Sequence, residues 1–135
     1  MFETVIKRLD FDHFASGSHK IAFADFFGSS EGIFLDVRAS EERDSMSLSF
    51  EGMGIEHVSI PIDQIPERIA ELPKDRPIGV FCPTVVRSSI IYAYLLAAGF
   101  EQVWILDGGY PALAAELLPG KLRKHKLKKR PLEVA

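Results

Sequence analysis

Four short apolar runs constrain this chain most: residues 33–37, 57–60, 78–81 and 103–106. Each is too brief for a helix, and helical patterning separates them. Runs apolar at nearly every position are those of strands covered on both faces. Strands that alternate with helices through short connections imply an α/β fold, a central parallel β-sheet flanked by helices on both faces. A length of 135 residues suits a single domain with a substantial core. The apolar fraction of 47% and charged fraction of 26% are those of a soluble globular protein. No apolar run approaches a membrane span.

The connecting segments carry weaker signals. Residues 4–9 read as a short strand, and 10–14 as a turn or the beginning of a helix. Residues 15–18 break that element, 21–27 have helical spacing with phenylalanines for the core, and 28–30 end it. A short helix begins over 39–43, and the polar, glycine-containing stretch 44–54 suggests an exposed loop. Residues 64–72 form a helix with Ile65, Ile69 and Leu72 inward, and 73–77 a surface turn. His57 has no partner motif and reads as structural. Residues 88–98 are apolar nearly all round, which implies a deeply buried helix stopped at Gly99. Gly108 and Gly109 make a turn where backbone can approach a neighbour closely. Pro111 sits in the first turn of a last helix that runs to about Leu118.

Charge divides the chain in two. Residues 1–120 hold 9 Lys/Arg and 18 Asp/Glu, net −9; residues 121–135 hold 7 and 1, net +6, which together give −3. Residues 1–118 therefore read as the compact domain, and 119–135 as a basic, flexible C-terminal tail. For residues 121–130, docking on an acidic protein partner or on the protein's own acidic body comes ahead of RNA or an anionic membrane. Met1-Phe2-Glu3-Thr4 lacks the basic-then-apolar order of a signal peptide, and a single cysteine excludes an internal disulfide. A cytoplasmic, reducing location is the simplest expectation.

That cysteine, Cys82, directly follows the run 78–81, and Arg87 and Ser88 open the helix beyond it. A loop between strand and helix can turn backbone N–H groups inward as an anion nest, and the helix N-terminus adds partial positive charge. Arg87 adds a full charge. Such surroundings favour the thiolate, the reactive form of cysteine. The context therefore points to a nucleophile at the floor of a small anion pocket rather than a buried structural thiol. Asp36 and Arg38 end another strand on the same side of a parallel sheet, where functional groups gather. For Asp36 a functional or loop-supporting role and a plain strand-end salt bridge are equal readings; for Arg38 an ion pair with Glu41 or Glu42 is the simplest reading, ahead of loop support. No metal site is expected.

Five segments together carry a family resemblance: Leu35-Asp36-Val37-Arg38 with Glu41-Glu42, Ile60-Pro61-Ile62-Asp63, Cys82 to Ser88, Ala98-Gly99-Phe100, and Leu106-Asp107-Gly108-Gly109. In this order they resemble rhodanese-like domains, over roughly residues 4–118. The resemblance implies a cysteine that takes a sulfane sulfur from a donor such as thiosulfate. It then passes that sulfur to a thiophilic acceptor, cyanide or a thiol. By that resemblance Cys82 carries the persulfide, with no separate cofactor. The N–H groups of Thr84, Val85, Val86, Arg87 and Ser88, with the Arg87 side chain, would cradle the persulfide or donor. Related phosphatases and arsenate reductases place five residues between Cys and Arg. Here four intervene: Pro83, Thr84, Val85 and Val86. The chain departs from the family at Val85, where glycine is common, and at Pro83, which has no N–H to offer. Nor does any Lys or Arg precede Arg87 in the loop. The resemblance thus implies a sulfurtransferase; the alternative is a low-activity regulatory or binding module recruited through the basic tail.

Overall fold

The computed structural model describes residues 2–29, 31–127 and 132. Among them are five strands: β1 (Lys20–Ile21), β2 (Ile33–Asp36), β3 (Glu56–Ser59), β4 (Ile78–Phe81) and β5 (Val103–Leu106). Eight α-helices accompany them: α1 (Phe2–Arg8), α2 (Phe11–Ala15), α3 (Phe23–Phe27), α4 (Ser40–Ser45), α5 (Ile65–Arg68), α6 (Val86–Ala97), α7 (Gly109–Glu116) and α8 (Pro119–Leu127). The strands form one parallel sheet in the order β1-β5-β4-β2-β3.

Alternation along each strand sends side chains to two cores. Ile33, Leu35, Ile78, Val80, Val103 and Ile105 enter one with Val5 of α1, Ile65 of α5 and Ile91, Tyr92 and Leu95 of α6. Phe34, Phe81 and Leu106 enter the other with Phe23, Phe26 and Phe27 of α3 and Leu113 of α7. Gly79 faces this second core, where a Cβ would lie 2.8 Å from the Phe26 ring. The expected layering of helices on both faces is thus the observed one.

Topology places the site. From β2 the chain moves outward to β3, then returns to β4 on the other side of β2 and continues to β5. Direction reverses between β2 and β4, and in open parallel sheets ligands bind beyond the carboxyl ends at such a point. Asp36 is in register with Phe81, and the Val37 N–H donates to the Phe81 carbonyl at 3.1 Å. The segments carrying Asp36–Arg38 and Cys82 therefore leave the sheet side by side.

Several local expectations are corrected. Residues 4–9 are not a strand: α1 spans most of them, because only Val5 is buried and it packs on the α6 side. Ile21 belongs to β1, so the helix of the phenylalanine run starts at Phe23. The stretch 44–54 is not wholly exposed, since Phe50 and Met53 are buried in the second core. With Leu117 and Leu122, this loop lines a cavity of about 400 Å³ that includes no residue of the Cys82 loop. The helix expected over 64–72 is α5 followed by a 3₁₀ turn over Ile69–Glu71. α6 begins two residues before Ser88 and is not buried all round: Val86, Ile90 and Tyr94, at intervals of four, remain exposed. The chain beyond 118 continues as α8 rather than as a flexible tail up to residue 127. His125 is buried there against Phe27 and hydrogen bonds with Glu116 at 3.1 Å, which ties α8 to the body. Of the partner segment 121–130, residues 128–130 lie outside the described residues. None of the described helices is long and apolar enough to cross a membrane.

Candidate active site

Cys82 leaves β4 fully buried, and its Sγ sits beneath the first turn of α6. The Ser88 N–H donates to Sγ at 3.3 Å, and the Cys82 thiol reaches Ser88 Oγ at 3.5 Å. Ser88 itself is buried. The first N–H groups of a helix have no partner within it, so the α6 N-terminus brings donors and dipole to the sulfur. The cap position of α6 is Val85, and the Ser89 hydroxyl donates to the Val85 carbonyl at 2.6 Å.

Val85 has φ +66°, the only non-glycine described residue at positive φ. The tight turn from Cys82 into α6 requires this left-handed residue. A β-branched side chain there is strained, by roughly 1–3 kcal/mol. Burial partly offsets the strain, since Val85 packs on the first core. Thr84 and Val86 are exposed, and Pro83 is partly buried. The loop is held from outside as well. The Tyr110 N–H donates to the Pro83 carbonyl at 3.2 Å. Gly109 lies so close that an added Cβ would collide with that carbonyl, and its φ of +61° also suits glycine. The close approach expected of the Gly pair is therefore against the active loop itself.

Behind the loop lies a buried ionic cluster. Arg38 is fully buried, and its Nε and Nη2 meet both Asp36 oxygens at 2.7–3.0 Å. Its Nη1 donates to the Met46 carbonyl at 2.8 Å and to the Tyr110 hydroxyl at 3.0 Å, and the guanidinium faces the Phe81 and Tyr110 rings. The expected pairing of Arg38 with Glu41 or Glu42 is thus corrected: Asp36 is the partner. Burial pushes the Asp36 carboxyl up, but the His57 imidazole 3.6 Å away and the hydrogen bonds from Arg38 outweigh this and bring it down to about 2. His57, read as partnerless, lies 3.6 Å from Asp36, bonds Ser59 at 2.9 Å and stacks on Phe34. Through Tyr110, the cluster reaches the Pro83 carbonyl. Among the described residues, the hydrogen bonds of Asp36 and Arg38 lead to the loop through Tyr110 and not to Cys82 Sγ.

Arg87 does not point alone into the pocket. Its Nη1 and Nη2 meet the two Glu42 oxygens at 2.6 and 2.8 Å. The Arg87 hydrogen bonds hold the Glu42 carboxyl at about 2, against a smaller upward push from burial. Glu42 also accepts the Ala39 N–H at 2.9 Å, which anchors it on the first turn of α4. Sequence reasoning missed Tyr110 and the Glu42–Arg87 pair. Nothing at position 42 in the sequence pointed to a partner 45 residues ahead.

A strand, a buried cysteine, a four-residue loop closed by arginine and a helix aimed at the sulfur are now in place. A model of the rhodanese-like domain family matches residues 22–116. The chain belongs to this family. A sulfurtransferase of Allochromatium vinosum is 38% identical over 69 residues, 51% of this chain and 64% of that protein. A tRNA sulfurtransferase of Aeromonas salmonicida is 32% identical over 71 residues, 53% of this chain but 14% of that one. This rhodanese-like chain thus spans less than two thirds of the length of either. Among solved structures, the NAD-dependent persulfide reductase of A. fulgidus matches with TM-score 0.58 and 34% identity, over 74% of this chain and 17% of that one. A rhodanese-related protein of Thermoplasma volcanium shares the fold, with TM-score 0.63 and 24% identity over 75% of this chain and 95% of that one.

Proposed function

We propose that this rhodanese-like protein is a sulfurtransferase that carries a sulfane sulfur as a persulfide on Cys82. The donor is thiosulfate or a related persulfide, and the acceptor is a thiol or cyanide. The observation that carries this reading is the Ser88 N–H directed at Cys82 Sγ at 3.3 Å from the N-terminal turn of α6. Such a donor favours negative sulfur, first on the attacking thiolate and then on the terminal persulfide sulfur. The names of the related sulfurtransferases support the same reaction class.

Loading begins when the Cys82 thiolate attacks the donor's sulfane sulfur. From thiosulfate, the sulfur–sulfur bond breaks and its electron pair leaves with sulfite. Attack by the acceptor on the outer sulfur then returns the electron pair to Cys82. A mechanism that needs a free thiol suits a reducing cytoplasm. The exposed Lys121, Arg123, Lys124 and Lys126 of α8 support an acidic protein partner. Turnover is read as thiocyanate formed from thiosulfate and cyanide. The parent should turn over, and Cys82→Ser should be silent at equal folding. Equal turnover by both proteins would remove Cys82 from the reaction.

A further inference from the structure

The two arginines of the site are both matched by carboxylates. Asp36 neutralises Arg38, and Glu42 neutralises Arg87. Pro83, Thr84, Val85 and Val86 add no charge, so the four side chains between Cys82 and Arg87 are formally neutral. Glu42 is firmly placed: one oxygen takes the Ala39 N–H and Arg87 Nη1, the other takes Arg87 Nη2. Its helix is fixed in turn, because buried Arg38 donates to the carbonyls of Glu42 and Met46 at 3.4 and 2.8 Å. A dianion approaching Arg87 therefore meets a guanidinium already bonded on two nitrogens, with a carboxylate beside it. Like charge at that distance opposes binding.

We propose that Glu42 sets the donor specificity of this site, selecting a persulfide carried on a thiol over the thiosulfate dianion. The inference rests on the reading of Cys82 as the sulfur acceptor. With a thiol persulfide, the Cys82 thiolate attacks the outer sulfur of R–S–SH. The bond between the two sulfurs breaks, the electron pair leaves on R–S⁻, and the proton stays with the transferred sulfur. One negative charge enters the step and one leaves it. Thiosulfate brings two charges and releases sulfite, also a dianion, for which the Arg87–Glu42 pair has no net charge to offer. Glu42 acts through Arg87 and is a positioning residue.

The test is single-turnover loading of Cys82, followed by intact mass over a range of donor concentrations. The donors are thiosulfate and glutathione persulfide, whose ionised peptide carboxylates lie away from the reacting S–SH end, which carries no sulfonate; the proteins are the full chain and Glu42→Gln. The parent should load from glutathione persulfide with the higher ratio of rate to half-saturating concentration. In Glu42→Gln the preference should move toward thiosulfate by about tenfold, the scale of one charge-assisted hydrogen bond. The shift should lie in the half-saturating thiosulfate concentration rather than in the maximal rate. A merely structural role for Glu42 would slow both donors alike, and that result overturns the proposal. The parent offers a second check that does not depend on the variant folding. Its thiosulfate loading should not fall between low and high salt, because no unpaired positive charge in the loop attracts the dianion and screening can only relieve repulsion. A steep fall with salt, or a parent preference for thiosulfate, also overturns the proposal. Loading of the parent by neither donor would instead refute the persulfide reading on which it rests.

Discussion

Asp36→Asn should cost this protein a large part of its stability. The substitution keeps the shape of the side chain and removes the charge opposite a fully buried guanidinium. Asp36 accepts from Arg38 Nε and Nη2, and its Oδ1 also takes the Arg38 backbone N–H at 3.1 Å. Asn has one acceptor oxygen, and its amide N–H groups would face guanidinium donors. The carboxyl is lowered from 3.8 to about 2 in the folded state. Linkage converts that depression into roughly 2 kcal/mol. That is a lower bound for Asn, because a protonated Asp still keeps its place. Removing one partner of a buried pair typically costs ~3–5 kcal/mol, out of a total of about 5–15 kcal/mol for a domain. The melting temperature should fall by roughly 10 °C or more.

The pH dependence has a definite sign. A depressed folded pKa stabilises above the unfolded value and loses its effect as pH falls through the folded one. The gap between parent and Asp36→Asn should therefore be full at pH 7 and shrink as pH drops from about 4 toward 2. Asp36→Asn combined with Arg38→Met should recover stability over Asp36→Asn alone, since removing the guanidinium leaves no buried charge unpaired. Urea unfolding at several pH values measures all of this. A loss below about 1 kcal/mol, or a pH-independent one, would refute the claim that this pair holds the loop's base together.

Gly109→Ala should lower sulfur loading by more than its stability loss explains, because the added methyl drives into the Pro83 carbonyl and displaces the active loop. Loading rate and urea midpoint measured on one preparation would show it. At position 85 Gly should be more stable than Ala by about 1 kcal/mol, since both lack the Val packing and only Ala keeps the strain of φ +66°. His125→Ala should loosen α8 from the body and raise its protease sensitivity, while near-ultraviolet signals of the sheet aromatics persist.

The parts of this fold legible in the sequence were those written locally. The β2 and β4 runs are apolar at almost every position, and their two-faced burial follows directly. The four-residue spacing from Cys82 to Arg87 and the Gly pair near the chain's last strand marked the loop and its contact. Val85 was recognisable as out of place, and the left-handed backbone the turn requires is the physical reason. What escaped was relational. The two-residue β1 is too short for any periodicity and exists only because β5 offers it an edge. The segment 4–9 has one inward position, Val5, and two-residue and four-residue spacing cannot be told apart from a single contact. α8 reads as a run of lysines because its docking depends on one histidine and on Leu122. The pairings of Asp36 with His57 and of Glu42 with Arg87 join residues 21 and 45 positions apart, and no spacing rule links them.

The most direct test of the account is whether Cys82 holds sulfur. The folded protein would be incubated separately with thiosulfate and with glutathione persulfide, then weighed intact beside Cys82→Ser. The account predicts a gain of one sulfur atom on the parent, absent from Cys82→Ser and removed by cyanide as thiocyanate. A folded parent that gains no sulfur from either donor would contradict it.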